Sequence, residues 1–350
     1  MKTAIRAVLL LLAVLFVGVT VYNASWRADP PTGALTLIAQ RGISQLPDAG
    51  RLDEGDCPAA RIEQPMHNYV ENTVPSLQKS YGVGARMVSV DLTRLSDGSL
   101  AIFREGSLDC RTDGSGPVSA LTADDLDGLD AGYGYTVDGT TFPMRGMTGQ
   151  VPTLERLLSR AGPTALLFNM NEGTAEPLIA GLKAAGRDPV EEKDAFMGDA
   201  QSVAAIRAAY PDVWAFSPQA ARTCAGDYIR TGWTGQMPAS CAGETMAIPL
   251  NRQIFFWGWP NLLIERMAEV GGRIIVTGPD RDGAGDSDDF TGLVLPEQLG
   301  DVPADFKGHL LVDDIWTVGP ALFPSGDKRG QSQKVEAAKA IERRRAAMDD

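Results

Sequence analysis

Short apolar runs alternate with helical patterns along most of the chain. The runs have the length and β-branched content of strands, and they predict strands over 34–39, 86–92, 99–103, 164–170, 213–218, 245–250, 273–279 and 308–314. Apolar periodicity predicts helices over 73–84, 152–162, 201–210 and 259–272. Because strands that alternate with helices pair in parallel, the chain is predicted to be an α/β protein, a (β/α)8 TIM barrel. Sites in such barrels lie at the carboxyl ends of the strands.

The N-terminal segment is apolar enough to cross a bilayer as a helix. Residues 7–26 carry no charge, and about 20 apolar residues span the hydrocarbon core. Lys2 and Arg6 precede the segment, so the N-terminus is predicted to stay cytoplasmic. Tyr22 and Trp26 stand where interfacial aromatic residues are common. We expect a membrane anchor with the barrel in the periplasm or outside the cell; the alternative is secretion after cleavage of a signal peptide.

These patterns divide the chain into three parts. Residues 1–27 are the anchor or signal segment, residues 28–323 the barrel, and residues 324–350 a charged tail. A single barrel fits the length of the middle part better than two small domains. The tail is rich in charge and alanine, and it is predicted to be a solvated helix or a disordered end.

Charge and cysteine content narrow the class of protein. The net charge is −13, from 45 acidic and 32 basic residues, which argues against a nucleic-acid partner because phosphate contacts need clustered Lys and Arg. The four cysteines suit an oxidising compartment, and they allow three pairings. Pairing of near neighbours would give Cys57–Cys110 and Cys224–Cys241, which is the expected set.

Four stretches resemble the glycerophosphodiester phosphodiesterase family. They are "LIAQRG" (37–42), "ENTVPSLQKSYGVGA" (71–85), "VSVDLTRLSDGSLAIFREGSLDCRTDGSGPVSALT" (88–122) and "VPTLERLL" (151–158). The family pattern has His-Arg-Gly in the first stretch, and Glu-x-Asp, Asp-Gly, Phe-His-Asp and Leu-Asp-x-x-Thr-Asp-Gly in the third. The resemblance implies a (β/α)8 barrel of lipid metabolism that hydrolyses glycerophosphodiesters with a divalent metal.

Both histidines that the family uses for proton transfer are replaced here. The resemblance puts the first at Gln40 and the second at Arg104. An imidazole accepts or releases a proton near neutral pH, whereas an amide does neither and a guanidinium stays protonated. The two positions are therefore predicted to be catalytically inactive.

The metal site that the resemblance implies is depleted as well. The family's Glu-x-Asp pair falls at Ser89 and Asp91, its next metal-binding Glu at Asn169, and its phosphate-contacting Lys at Asn171. Hard cations such as Ca²⁺ and Mg²⁺ prefer several charged oxygen ligands. One carboxylate, one amide and one hydroxyl predict a metal site that is weak or absent.

Several positively charged and polar positions are retained. The resemblance gives Arg41 and Glu71 a role in substrate binding, and His67 lies in the same loop, where it could face the pocket. Arg104 adds a permanent charge, so that Arg41 and Arg104 could clamp a phosphate. The alternative is that Arg104 pairs with Asp91 or Glu105 across the vacated metal site.

Two functions remain open from the sequence. The first is a pseudoenzyme that keeps the barrel, has lost the acid–base pair, and acts as a binding or scaffold protein for a phosphodiester or other anionic headgroup. The second is an active metal-dependent phosphodiesterase with altered residues, for instance His67 with Asp91. We favour the first, because proton transfer has lost both of its histidines.

Overall fold

The computed structural model of the chain describes residues 2–48, 56–147, 149–162, 164–280 and 290–349, and their side chains as far as residue 347. By internal contacts the chain divides into two units. The first unit comprises Met1–Leu35, Pro218–Phe290 and Gly300–Leu310, and the second comprises Thr36–Ser217, Thr291–Leu299 and Leu311–Asp350.

The helices and strands of the first unit include the apolar N-terminal helix. The helices and strands of this unit are α1 Lys2–Tyr22, α6 Pro218–Thr231, β7 Thr245–Pro249, α7 Asn261–Glu269 and β8 Arg273–Thr277. Strands β7 and β8 are parallel, and Ile248 lies opposite Val276. The first residues of β9 His309–Val312 also belong here.

The second unit carries most of the strands. These are β1 Thr36–Ala39, β2 Met87–Arg94, β3 Leu100–Ile102, β4 Ala165–Asn169, β5 Ala195–Met197 and β6 Trp214–Phe216. Its helices are α2 Val74–Gly82, α3 Leu154–Ala161, α4 Ala175–Ala184, α5 Ala200–Ala209, α8 Ile315–Leu322 and α9 Gln331–Asp349.

The strand order is that of a (β/α)8 barrel, so the predicted fold class is confirmed. Eight parallel strands run in the order β6–β5–β4–β2–β1–β9–β8–β7. The strand predicted over 99–103 is not one of them, because it forms β3, which pairs antiparallel with β2. The barrel strand that the sequence pattern did not predict is β5, because its three residues are too few to show an alternating pattern.

Helix α1 has the length and composition of a membrane span. It contains 21 residues, includes an 18-residue window with a mean hydropathy of 2.6, and buries none of its side chains. A cleaved signal sequence has the same properties. The contacts of the residues after α1, described below, bear on this choice.

The predicted cysteine pairing is confirmed. Cys57 is bonded to Cys110, and Cys224 is bonded to Cys241. The first bond joins the loop after β1 to the loop after β3. Its position matters for the site, because the residue after Cys110 is a buried arginine.

The C-terminal tail is helical, but it is not simply solvated as the sequence predicted. Helix α9 buries Ala337, Ala340 and Arg344. The Arg344 guanidinium pairs with Asp314 and, at 2.8 Å, with Glu63 of the loop after β1. Small alanines and one long cation therefore fix this helix on the second unit.

We expect Arg344→Ala to destabilise the protein by about 3 kcal/mol or more, because it leaves the buried Asp314 carboxylate without its cation. Denaturant unfolding of the purified chain measures the change. The neighbouring Arg343 is exposed, so Arg343→Ala is the matched control and should change stability by less than about 0.5 kcal/mol. Equal effects of the two substitutions would contradict the packing of α9.

Candidate functional site

Polar side chains cluster where β1, β2 and β4 end. These strands are neighbours in the sheet, and the register places Asp91 of β2 opposite Asn169 of β4. Ser89 precedes Asp91 by two residues, so the alternation of strand side chains puts both on one face. Arg41, just after β1, contacts Ser89 through its backbone and Asp91 through its side chain. The structure thus brings together the residues predicted as remnants of a metal site.

The Asp91 carboxylate is buried and fully engaged by protein groups. Its Oδ2 accepts a hydrogen bond from Asn72 Nδ2 at 2.9 Å and pairs with Arg41 Nε at 3.2 Å, and its Oδ1 accepts from Asn169 Nδ2 at 2.8 Å. Burial alone would raise the pKa of Asp91, but the charges of Arg41 and Arg104 and the two amides lower it below its usual value. These protein groups therefore favour the anionic form of Asp91.

The backbone at Arg41 is in an unusual conformation that these contacts maintain. Arg41 and Asn72 have φ angles of 58° and 57°, a left-handed region that costs about 1–2 kcal/mol for a residue with a Cβ. The Arg41 N–H donates to Ser89 Oγ and the Asn72 N–H donates to the Arg41 carbonyl, both at 2.9 Å. Gly42 follows with φ 82°, and a Cβ there would lie 2.4 Å from Ser76 Oγ. Close packing of α2 therefore requires this glycine.

The donor set at the mouth does not fit a divalent cation. Both Asp91 oxygens accept protein hydrogen bonds, Asn169 directs its amide N–H₂ rather than its oxygen at Asp91, and Ser89 Oγ accepts from Arg41. Within the described residues, no group of three or more His, Cys, Asp or Glu side chains could hold a metal ion. Ca²⁺ and Mg²⁺ require several oxygen ligands, mostly carboxylates or carbonyls.

Gln40 and Arg104 lie next to this network. The Gln40 N–H donates to the Val312 carbonyl at 2.8 Å, which extends the pairing of β1 with β9 by one residue. The Phe103 N–H donates to the Asp91 carbonyl at 3.0 Å, and this bond places the following Arg104 beside Asp91. Arg104 is half-buried. Burial, with the charge of Arg41, lowers the pKa of Arg104, yet a guanidinium remains protonated at any physiological pH.

Each expected partner of Arg104 also forms an ion pair with another arginine. Asp91 pairs with Arg41, and Glu105 pairs with Arg111. Arg104 interacts with both carboxylates through its charge. The pairing of Arg104 with Asp91 or Glu105 across the vacated metal site stays a prediction, and Arg41 adds a second cation beside Asp91.

A second buried network surrounds Arg111, which the sequence reasoning did not identify. Its guanidinium donates to Glu71, Glu105 and the Tyr135 hydroxyl. Burial would lower the pKa of Arg111, but Glu71, Tyr135 and Glu105 raise it well above its usual value. Glu71, predicted to contact substrate, therefore faces this arginine. The only sequence signal was the neighbouring Cys110, since a disulfide fixes the backbone next to it.

His67 is a buried loop residue rather than an open acid–base group. Its Nδ1 accepts from the Tyr69 N–H at 3.3 Å and lies 3.1 Å from Gln45 Nε2, and its ring meets the edge of Trp316 at 5.0 Å. These contacts favour the neutral tautomer with the proton on Nε2. Burial lowers the pKa of His67 to about 4. The ring is neutral at physiological pH, and its Nδ1 is engaged.

Asn171 and three aspartates of the stretch 88–122 hold the backbone of nearby loops and strands. Asn171 Nδ2 donates to the Leu92 carbonyl at 3.2 Å, so its role in binding phosphate stays a prediction. Asp97 accepts from the Ser99 N–H within a tight turn, and Asp109 accepts from the Gly116 N–H. Asp113 accepts from the Asp130 N–H at 2.9 Å.

Comparison with known proteins finds a family match for the part of the chain that contains Asp91, Arg104 and Asn169. Residues 65–189 match the model of the glycerophosphoryl diester phosphodiesterase family. The chain is also 29% identical over 174 residues to an uncharacterized protein of Mycobacterium tuberculosis, and the match covers 47% of this chain and 57% of that protein. The chain therefore spans little more than half the length of this curated relative.

Solved structures of glycerophosphodiester phosphodiesterases share the fold. A putative member from Silicibacter pomeroyi is 15% identical with a TM-score of 0.53, and the match covers 85% of this chain and 95% of that one. An Oleispira antarctica phosphodiesterase in complex with the product sn-glycerol-3-phosphate is 17% identical with a TM-score of 0.52, covering 82% and 96%. At this identity the likeness establishes the fold alone.

We expect stability to fall as the pH decreases from about 6.5 to 4, because His67 has a pKa of about 4 when folded and about 6.5 when unfolded. In this window the unfolded chain takes up a proton that the folded chain does not, so stability is present above the window and lost within it. The loss for one such group is about 1.4 kcal/mol per pH unit.

Urea unfolding at pH values across this window measures the slope. His67→Asn keeps an acceptor near the Nδ1 position and should reduce the slope without abolishing folding. His309 has its pKa lowered to about 4 by burial and by the charge of Arg273, so His309→Asn is the matched variant and should reduce the slope by a similar amount. An unchanged slope in His67→Asn would contradict the burial of a neutral imidazole.

Proposed function

We propose that this glycerophosphodiester phosphodiesterase-like barrel binds an anionic phosphate or phosphodiester headgroup without cleaving it. One observation carries the proposal: the only carboxylate among the predicted metal ligands, Asp91, is satisfied by Arg41 and by the amides of Asn72 and Asn169. The carboxylate that would hold a metal in the family is here part of a metal-independent polar network.

The chemistry of the two histidine positions supports the same conclusion. Gln40 cannot exchange a proton and Arg104 does not release one. General acid–base groups each contribute about 10²–10⁴-fold to a rate. A phosphodiester bound at this mouth would lack both the group that activates the nucleophile and the group that protonates the leaving alkoxide.

The proposed ligand class follows from the hydrogen-bond donors of the two arginines at the mouth. Arg41 and Arg104 are planar cations, and guanidinium groups bind phosphate oxygens with paired N–H donors. The Arg41 side chain is 23% exposed, and Arg104 is half-buried. The structure of the Oleispira antarctica phosphodiesterase contains the product sn-glycerol-3-phosphate, which is therefore the first ligand to test.

The setting of the protein is part of the proposal. An apolar N-terminal helix and two disulfides indicate a protein outside the cytoplasm. We place the barrel in the periplasm or at the cell exterior, attached to the membrane by α1. An anionic headgroup released from or attached to lipid would be available there.

The active-enzyme alternative depends on His67 acting with Asp91, and the contacts of His67 do not favour it. A ring with a pKa of about 4 whose Nδ1 accepts hydrogen bonds is a weak base. Asp91 in turn is held as an anion with a lowered pKa. Neither group is suited to donate a proton at neutral pH.

We expect the full chain to bind sn-glycerol-3-phosphate without Ca²⁺ or Mg²⁺, and Arg104→Gln to weaken binding roughly 10- to 100-fold, as the loss of a charged hydrogen bond predicts. Calorimetric titration measures the Kd, and glycerophosphocholine hydrolysis is followed in the same preparation. The matched control is Arg156→Gln, which removes a surface arginine of α3 that pairs with Asp127.

Equal affinities of wild type and Arg104→Gln would contradict the proposed clamp. Metal-dependent release of choline that Asp91→Ala abolishes would instead establish the active enzyme. Binding without release is the result that the pseudoenzyme hypothesis requires.

Restoring the family residues tests whether the losses explain the lack of activity. We expect Gln40→His, Ser89→Glu, Arg104→His and Asn169→Glu in one chain to raise hydrolysis by about 10²-fold or more. The gain should require Ca²⁺ or Mg²⁺ and be lost when Asp91→Asn is added. The matched control carries the other three substitutions but has Gln40→Asn in place of Gln40→His. No gain in a folded variant would show that the loss extends beyond these positions.

A further inference from the structure

The residues that follow α1 are folded onto the first unit rather than forming a loose tether. Ser25–Arg27 form a short 3-10 turn. Ser25 Oγ accepts from the Asn261 N–H at the start of α7, at 3.0 Å. Arg27 donates to the Tyr22 carbonyl at 2.6 Å and lies over the Tyr22 ring. The end of the apolar helix therefore has one defined path.

A buried polar contact fixes this path. Asn23 is 3% exposed, and its Nδ2 donates to the Val19 carbonyl and, at 2.9 Å, to the Trp233 carbonyl. Its Oδ1 accepts from Arg266 of α7 at 2.9 Å. Arg266 is 7% exposed and also donates to the Tyr228 hydroxyl of α6. Without Asn23, a buried guanidinium would lose one of its acceptors, which is costly in a region of low dielectric.

Exposed aromatic residues surround the same point. Tyr22, Trp26 and Trp233 are 49%, 74% and 51% exposed. The Tyr22 ring packs on Gly235, where a Cβ would lie 2.6 Å from it, so the 232–235 turn after α6 touches the end of α1. Large exposed aromatic residues at the end of an apolar span are typical of the membrane interface. The 232–235 turn is far from α1 in sequence, and nothing in the chain pattern linked the two.

We infer that α1 is retained in the mature protein and that Tyr22, Trp26 and Trp233 form one surface lying in the headgroup region of a lipid bilayer. This inference rests on the proposed membrane attachment and adds a second contact to it. The apolar surface of α1 continues into this aromatic surface, so the proposed partner of both is lipid. The first unit is then held against the membrane by two separate segments of the chain.

Tryptophan quenching by lipid tests this surface. The full chain is reconstituted in phosphatidylcholine vesicles, with and without lipid brominated in the upper part of the acyl chain. Six tryptophans are present, so we compare wild type with Trp26→Phe, Trp233→Phe and the double variant. Each single substitution should remove part of the quenching, and the double should remove most of it. Trp214→Phe, at a buried strand position, is the matched control and should leave quenching unchanged.

A Trp233→Phe variant that is quenched as strongly as wild type would overturn the surface, because Trp233 would then lie away from lipid. The intact mass of the membrane-purified protein tests retention separately: loss of the first residues up to or beyond Asn23 would overturn it. Neither result depends on the Kd for sn-glycerol-3-phosphate, so failure here is distinguishable from failure of the proposed headgroup binding.

The polar contact has its own measurement. Asn23→Ala should lower the melting temperature of the full chain in detergent, since Arg266 loses an acceptor. Thr20→Ala, at an exposed position of α1, is the matched control and should leave the melting temperature unchanged. A melting temperature unaffected by Asn23→Ala would overturn the docking of the helix end.

Discussion

The need to satisfy one buried carboxylate organises the mouth of this barrel. Asp91 is 3% exposed, and an ionised carboxylate removed from water costs several kcal/mol unless charges and donors compensate for it. The register places residue 169 directly opposite Asp91. A glutamate there would repel Asp91 unless a cation lay between them, whereas Asn169 donates a hydrogen bond to it. The amide at 169 therefore gives Asp91 a hydrogen-bond donor where a second carboxylate would repel it, and Arg41 supplies a positive charge beside it.

The loop after β1 depends on the same principle one layer further out. Three consecutive residues have three different structural tasks: Glu71 pairs with Arg111, Asn72 binds both the side chain and the backbone of Asp91, and the Thr73 hydroxyl caps α2. The Cys57–Cys110 disulfide fixes the backbone next to Arg111. A stretch that the family resemblance marks as part of a site thus also has a structural role in holding the loop, Asp91 and α2 together.

Hydrophobic patterning predicted the barrel because buried strands recur along the chain. This prediction does not require knowing which side chains contact each other. It did not predict which arginine meets which carboxylate. Asp91 pairs with Arg41, which adopts a φ of 58°. Nothing in the sequence "LIAQRG" predicts a left-handed backbone at the arginine. The helix α9 was missed as a packed element for a related reason, since its buried face consists of alanines and Arg344, which by composition look solvated.

The charges at the mouth decide how a ligand would be held. Arg41, Arg104 and Arg111 are three cations, and Asp91, Glu71 and Glu105 are three anions, linked by the ion pairs and charge interactions described above. The charges of these six side chains sum to zero, so a bound divalent cation would leave two positive charges uncompensated. A phosphate would likewise gain little from net attraction, and its binding would depend on directed hydrogen bonds. Arg111 is committed to two carboxylates and a hydroxyl, and Arg41 to Asp91. Arg104 is half-buried and interacts with Asp91 and Glu105 through its charge, so the proposed phosphate would compete with these carboxylates for its N–H donors.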